Sequence, residues 1–120
     1  MAELMKPVDV AVAFTRAWTS QDLDLAATFV AEDAVFDGPM GHMNGAKAYV
    51  GGLTGLSKEV TGLNIIAAFG DDEQALLMYD LMTKSYGTLR CAKLLVVKDG
   101  KILDDKLTFD SYLIRSSRKS

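Results

Sequence analysis

The chain has 120 residues, 49% of them apolar and 24% charged, the balance of a soluble globular protein long enough to bury a core without staples. A net charge of −3 with no basic stripe argues against nucleic acid as a partner, and the lone Cys91 rules out an intrachain disulfide. No apolar run reaches membrane-spanning length, since Asp80 interrupts "ALLMYDLM", and "MAELMKPVDV" has no signal-peptide core. The expectation is one cytoplasmic domain over residues 1–120 with no membrane partner.

Pro7 suits a first helical turn, and Val8, Ala11, Val12, Thr15 and Trp18 recur after it at helical spacing, with Phe14 beside them. That predicts a helix over 7–19. Ser20 or Asp22 can cap a second helix over about 22–31, where Leu25 and Phe29, and Ala26 and Val30, stand four apart. Residues 33–37 read as a short strand, ended by Gly38, Pro39 and Gly41. A third helix follows on Ala46, Tyr49, Val50, Leu53 and Leu56. Gly51, Gly52 and Gly55 each weaken it by about 1 kcal/mol relative to alanine, but small residues let a helix approach a sheet closely.

From Val60 the pattern changes to long strands, predicted over 60–69, 74–84, 87–98 and 101–113. In the first of these, Leu63, Ile65, Ala67 and Phe69 are expected on one face. "GDDEQ" and "SYG" are turns, and "KDGK" carries the Asp-Gly signal of a tight hairpin. The tail "RSSRKS" reads as a frayed terminus. Helices around one short strand, then a meander, make an α+β fold: a cone-shaped, curved antiparallel sheet wrapped around three N-terminal helices. Such a cone leaves a pocket between helices and sheet.

The order of elements resembles the ketosteroid isomerase and SnoaL-like polyketide cyclase group of the nuclear-transport-factor-like superfamily, across nearly the whole chain. The resemblance rests most on "FTRAWTSQDLDLAATFVAEDAVFDGPMG", residues 14–41. It implies a cystatin-like α+β roll with a deep pocket, and Asp37 as the general base that shuttles a proton between carbons. The isomerases also hold the developing oxyanion with a helix-one Tyr and a protonated sheet Asp. Here the helix-one position is Phe14, and the sheet position falls near Cys91 or Ala92. SnoaL-type cyclases, which rely mainly on acid–base carboxylates, are easier to reconcile with these residues. Limonene epoxide hydrolase uses an Asp–Arg–Asp network, for which Arg90, Asp80 and Asp110 offer the residue types without the spacing.

Each candidate carries two readings. Asp37 is a turn residue satisfied by local N–H groups, or a pocket acid sharing a face with Val35 whose pKa burial would raise. Asp80, flanked by Met78 and Met82, is functional or lies on a solvent or subunit face. His42 is a surface residue or a partner of Asp37, and Asp110 a strand-end acid or a site acid. Arg90 is structural first and ligand-binding second. Phe14, Trp18, Met40, Met43, Tyr49 and Met82 are core or pocket wall, which coincide in a cone fold. Cys91 is a small buried hydrophobe, and no residue spacing suggests a metal or cofactor. The expected function is acid–base isomerisation, cyclisation or hydrolysis of a small apolar carbonyl compound by a homodimer. A non-catalytic apolar-ligand or dimerisation module is the alternative.

Overall fold

The computed structural model describes residues 5–117. Helix α1 (Pro7–Thr19) begins at Pro7 with Asp9 in its first turn and Arg16 in its last, both favourable to the helix dipole. It buries Val10, Ala11, Phe14, Thr15, Ala17 and Trp18. Asp22 caps α2 (Leu23–Ala27), its carboxylate accepting from the Leu25 N–H at 3.2 Å. The second helix is shorter than the i,i+4 pairs predict. Thr28 and Phe29 close the helix in a turn, the Ile102 N–H donates to the Phe29 carbonyl at 2.7 Å, and Val30 opens β1 (Val30–Gly38).

Strand β2 (Gly41–Asn44), absent from the sequence reading, folds back on β1. Gly45, at φ 92°, turns the chain into α3 (Ala46–Ser57) in a conformation that only glycine adopts cheaply. Within α3, Gly52 permits the expected close approach: a Cβ there would meet the Met43 Cε at 2.7 Å. Gly51 and Gly55 face open space. Then come β3 (Val60–Gly70), β4 (Gln74–Thr83), β5 (Gly87–Lys98) and β6 (Lys101–Thr108). The β5–β6 turn has Asp99 at φ 53° and Gly100 at φ 76°, the two positive values of a type I′ hairpin. The last predicted strand stops at Thr108 rather than 113. Asp110 accepts from the Tyr112 N–H at 3.0 Å and starts α4 (Tyr112–Ser117). Arg115 to Ser117 therefore belong to a helix rather than a frayed tail; residues 118–120 lie outside those described.

The sheet is curved and open, six strands in the order β2-β1-β6-β5-β4-β3. All neighbours pair antiparallel except β1 and β6, which run parallel. Tyr79, Leu77, Leu95 and Ile102 are fully buried and, with Phe14 and Val10 of α1, form the core. Bulges reset the face parity at several points. In β3 the register shifts between Ile65 and Ala67, so Leu63 and Ile65 oppose inward Leu81 and Tyr79, whereas Ala67 and Phe69 oppose Met78 and Leu76 on the outer face. Ala67 and Phe69 thus do not share a face with Leu63, against strict alternation. In β6 the register shifts beside Ile102, which buries both Ile102 and Asp105 although they stand three apart. Among the described residues no helix is long and apolar enough to cross a membrane.

Candidate functional site

A cavity of about 410 Å³ lies between α1, α3 and the inner sheet face. Its walls are largely apolar, formed by Leu53 and Leu56 of α3 and by Leu81 and Leu89 of the sheet. Alternation in β5 turns Leu89, Cys91, Lys93, Leu95 and Val97 inward, so a lysine stands in an apolar row. The bulge in β6 turns Asp105 toward it from the neighbouring strand. Lys93 Nζ and Asp105 Oδ2 are 3.6 Å apart, with side chains 3% and 1% exposed. Charges this dry persist only when compensated. The ammonium is also 5.1 Å from the Phe14 ring centre and 5.6 Å from that of Tyr79, two cation–π contacts.

Tyr49, projecting from α3, donates its phenol O–H to Asp105 Oδ2. It is held by Phe36, stacked at 5.3 Å, and Phe14, tilted at 5.7 Å. Burial pushes the Tyr49 phenol well above its ordinary pKa, and the Asp105 charge adds to that. Burial raises Tyr79 likewise, and pushes the Cys91 thiol in the cavity wall up to about 11. Tyr49 is therefore a firm donor at neutral pH. Two residues that line the cavity each bury a polar atom that has no hydrogen-bond partner among the described residues: Asp105 Oδ1 and Trp18 Nε1. At the rim, Arg115 of α4 donates to the Pro39 carbonyl at 2.7 Å, which ties α4 to the β1–β2 turn.

The structure brings Phe14, Trp18, Met40 and Tyr49 to this site, Phe14 as the ring beneath Lys93 and the other three as lining. Met43 also lines it. The expected acids lie elsewhere. Asp37 does share a face with Val35, but it is the outer one: Ala34 and Phe36 point inward, and Asp37 pairs in register with outward Lys106. Its side chain is 61% exposed, so the desolvation expected of a pocket acid is absent. His42 is exposed beside it, with Nδ1 3.9 Å from Asp37 and Nε2 3.2 Å from the Asn44 side-chain oxygen. Asp80 sits on the outer face too, gripped by Arg90 through two hydrogen bonds of 2.8 and 2.9 Å that hold its carboxyl below the usual range. Met82, on the same outer face of β4, is also outside the cavity. Asp110 is exposed and spent on the start of α4. The position near Cys91 or Ala92 splits: Cys91 lines the cavity and Ala92 faces out.

Sequence reasoning missed Lys93 and Asp105. Lys93 had a usable signal, its inward parity between Cys91 and Leu95. Asp105 had none that alternation could read, because parity counted from Ile102 would turn Asp104 inward instead. Among the described residues no three His, Cys, Asp or Glu side chains cluster as a metal site.

Comparison with known proteins agrees with this fold. A protein from Kribbella flavida DSM 17836 is 36% identical, with a TM-score of 0.89 over 93% of each chain. An NTF2-like protein from Cytophaga hutchinsonii ATCC 33406 shares the fold at 20% identity and a TM-score of 0.81, over 96% of this chain and 99% of that one. So does an LEH-like epoxide hydrolase of M. tuberculosis, at 18% identity and a TM-score of 0.76, over 92% and 86%. No curated protein matches the sequence. The profile of the SnoaL-like domain matches residues 11–104, most of the fold just described, and the chain belongs to that family.

Proposed function

We propose that the protein is an acid–base enzyme for a small, largely apolar, carbonyl-bearing molecule bound in the cavity, with Asp105 rather than Asp37 moving the proton. The observation that carries this reading is a carboxylate in an apolar wall with one oxygen engaged and the other unpartnered. Tyr49 and Lys93 hold Oδ2, which leaves Oδ1 to take a proton from the carbon beside the carbonyl. The C–H electron pair then becomes the enolate, whose charge gathers on the carbonyl oxygen. Return of the proton at another carbon gives isomerisation, and attack of the enolate on a second carbonyl gives cyclisation. Apolar walls exclude water and protect the enolate. Hydrolysis would require the same carboxylate to activate a water, a third use of one base.

A second reading has an observation of its own. The Lys93–Asp105 pair is neutral as a unit and deeply buried, which also suits a pocket that only binds an apolar ligand. Incubation with 2-tetralone in deuterated buffer separates the two. Catalysed deuterium uptake at its activated CH₂ supports the enzyme, whereas binding without uptake supports the binder.

The assembly we favour is a homodimer through the outer sheet face. Phe69, Leu76, Ile66 and Met78 are there 69, 51, 45 and 38% exposed, a continuous apolar patch of the kind that proteins cover. Buried Cys91 suits a reducing compartment such as the cytoplasm.

A further inference from the structure

Phe14, the ring beneath Lys93, donates no hydrogen bond. One turn further along the same helix face stands Trp18, 2% exposed, in the cavity wall. Its indole N–H has no partner among the described residues. The other helix hydroxyls near it in sequence are committed: Thr15 donates to the Ala11 carbonyl at 2.8 Å and Thr19 to the Thr15 carbonyl at 2.7 Å. A buried N–H left unpaired costs about 1–3 kcal/mol, a cost that a ligand acceptor would remove.

We propose that Trp18 is a catalytic residue whose indole N–H donates to the carbonyl oxygen of the ligand. This rests on the reading of Asp105 as the base. Phe14 touches both Lys93 and Tyr49, and Trp18 follows Phe14 one helical turn along the same face, about 5–6 Å away between Cβ atoms. Trp18 and Asp105 line the same cavity, so one ligand there can set its carbonyl oxygen toward the indole and its acidic carbon toward the carboxylate. As Asp105 Oδ1 takes the proton, the C–H pair moves into the enolate and the Trp18 N–H meets the negative charge on oxygen, a donor strongest in the transition state. The site therefore selects ligands with a hydrogen-bond acceptor beside an ionisable C–H, over hydrocarbons of equal shape.

Trp18 is the only tryptophan, so the ¹⁵N-labelled protein gives one indole N–H signal. Titration with 2-tetralone should move that signal downfield, and tetralin, which has CH₂ in place of the carbonyl, should not. Trp18→Phe should weaken 2-tetralone binding roughly threefold to tenfold and leave tetralin binding unchanged. It should also slow deuterium uptake about a hundredfold. Equal responses of the indole signal to the two probes, or no response to either, overturn the proposal. Uptake lost in Asp105→Asn but unchanged in Trp18→Phe overturns it while leaving the Asp105 reading intact. A carbonyl-selective shift with no uptake in the unaltered protein keeps Trp18 as the carbonyl donor and refutes Asp105 as base.

Discussion

Replacing Lys93 with methionine should be among the most destabilising single substitutions in the sheet. Methionine keeps most of the apolar stem but removes the ammonium, which leaves the Asp105 carboxylate 1% exposed with no counter-charge. At 3.6 Å and an effective dielectric constant near 20, the lost attraction is about 5 kcal/mol. The cation–π contacts to Phe14 and Tyr79 are lost with it, and the surviving Tyr49 hydrogen bond offsets part of the cost. The expected net loss is about 3–5 kcal/mol, a large share of the roughly 5–15 kcal/mol that holds a typical domain folded. Urea unfolding followed by Trp18 fluorescence measures it directly. Lys93→Met combined with Asp105→Asn removes both charges and keeps an acceptor for Tyr49, so the double variant should recover most of the loss. A single variant within about 1 kcal/mol of the parent, or a double variant whose losses simply add, would refute the buried-pair account.

Other outcomes follow from the same structure. Gly51→Ala should stabilise the protein by about 0.5–1 kcal/mol, because the position is helical, exposed and faces open space; a fall in urea midpoint contradicts that. Stability should be flat near neutrality and decline above about pH 9. The unfolded Cys91 thiol loses its proton near 9.0 while the buried one holds it to about 11, so the unfolded state ionises first and the loss is complete above the higher value, on the order of 2–3 kcal/mol. Tyr49 and Tyr79, both raised by burial, add to that alkaline loss. Light scattering at tens of micromolar should report a dimer, and Phe69→Lys with Leu76→Lys should give a folded monomer. A monomeric parent chain removes the outer face as an interface.

Much of the fold was legible in "FTRAWTSQDLDLAATFVAEDAVFDGPMG" and in the alternation after Val60, because helical stripes and period-two rows record burial directly. Pro7, Asp22 and the Asp99-Gly100 pair marked their ends through backbone chemistry that single residues determine. The short β2 and α4 were not legible. Four exposed or half-buried residues of β2 are defined by pairing with β1, and α4 by an Asx turn and the Arg115 contact to Pro39. The site was read worse than the fold for a specific reason. Face assignment rests on counting by two, and bulges beside Ile65 and Ile102 break the count. In β1 the count itself was right, since Val35 and Asp37 do share a face. What sequence could not supply was the sign of that face, which depends on Phe36 packing against Tyr49 from another element. Trp18, Tyr49 and Met40 line the cavity because large apolar side chains in a cone fold reach it from wherever the helices and turns carry them.

The working carboxylate we propose is the buried Asp105 on β6, not the exposed Asp37 that the family pattern points to on β1. Deuterium uptake by 2-tetralone, followed by ¹H NMR with equal amounts of the parent protein, Asp105→Asn and Asp37→Asn, tests it most directly, with circular dichroism confirming that each is folded. With Asp105 as the base, the parent takes up deuterium, Asp37→Asn does so at the same rate, and Asp105→Asn shows none above background. Uptake that survives Asp105→Asn, or vanishes with Asp37→Asn, would contradict that assignment.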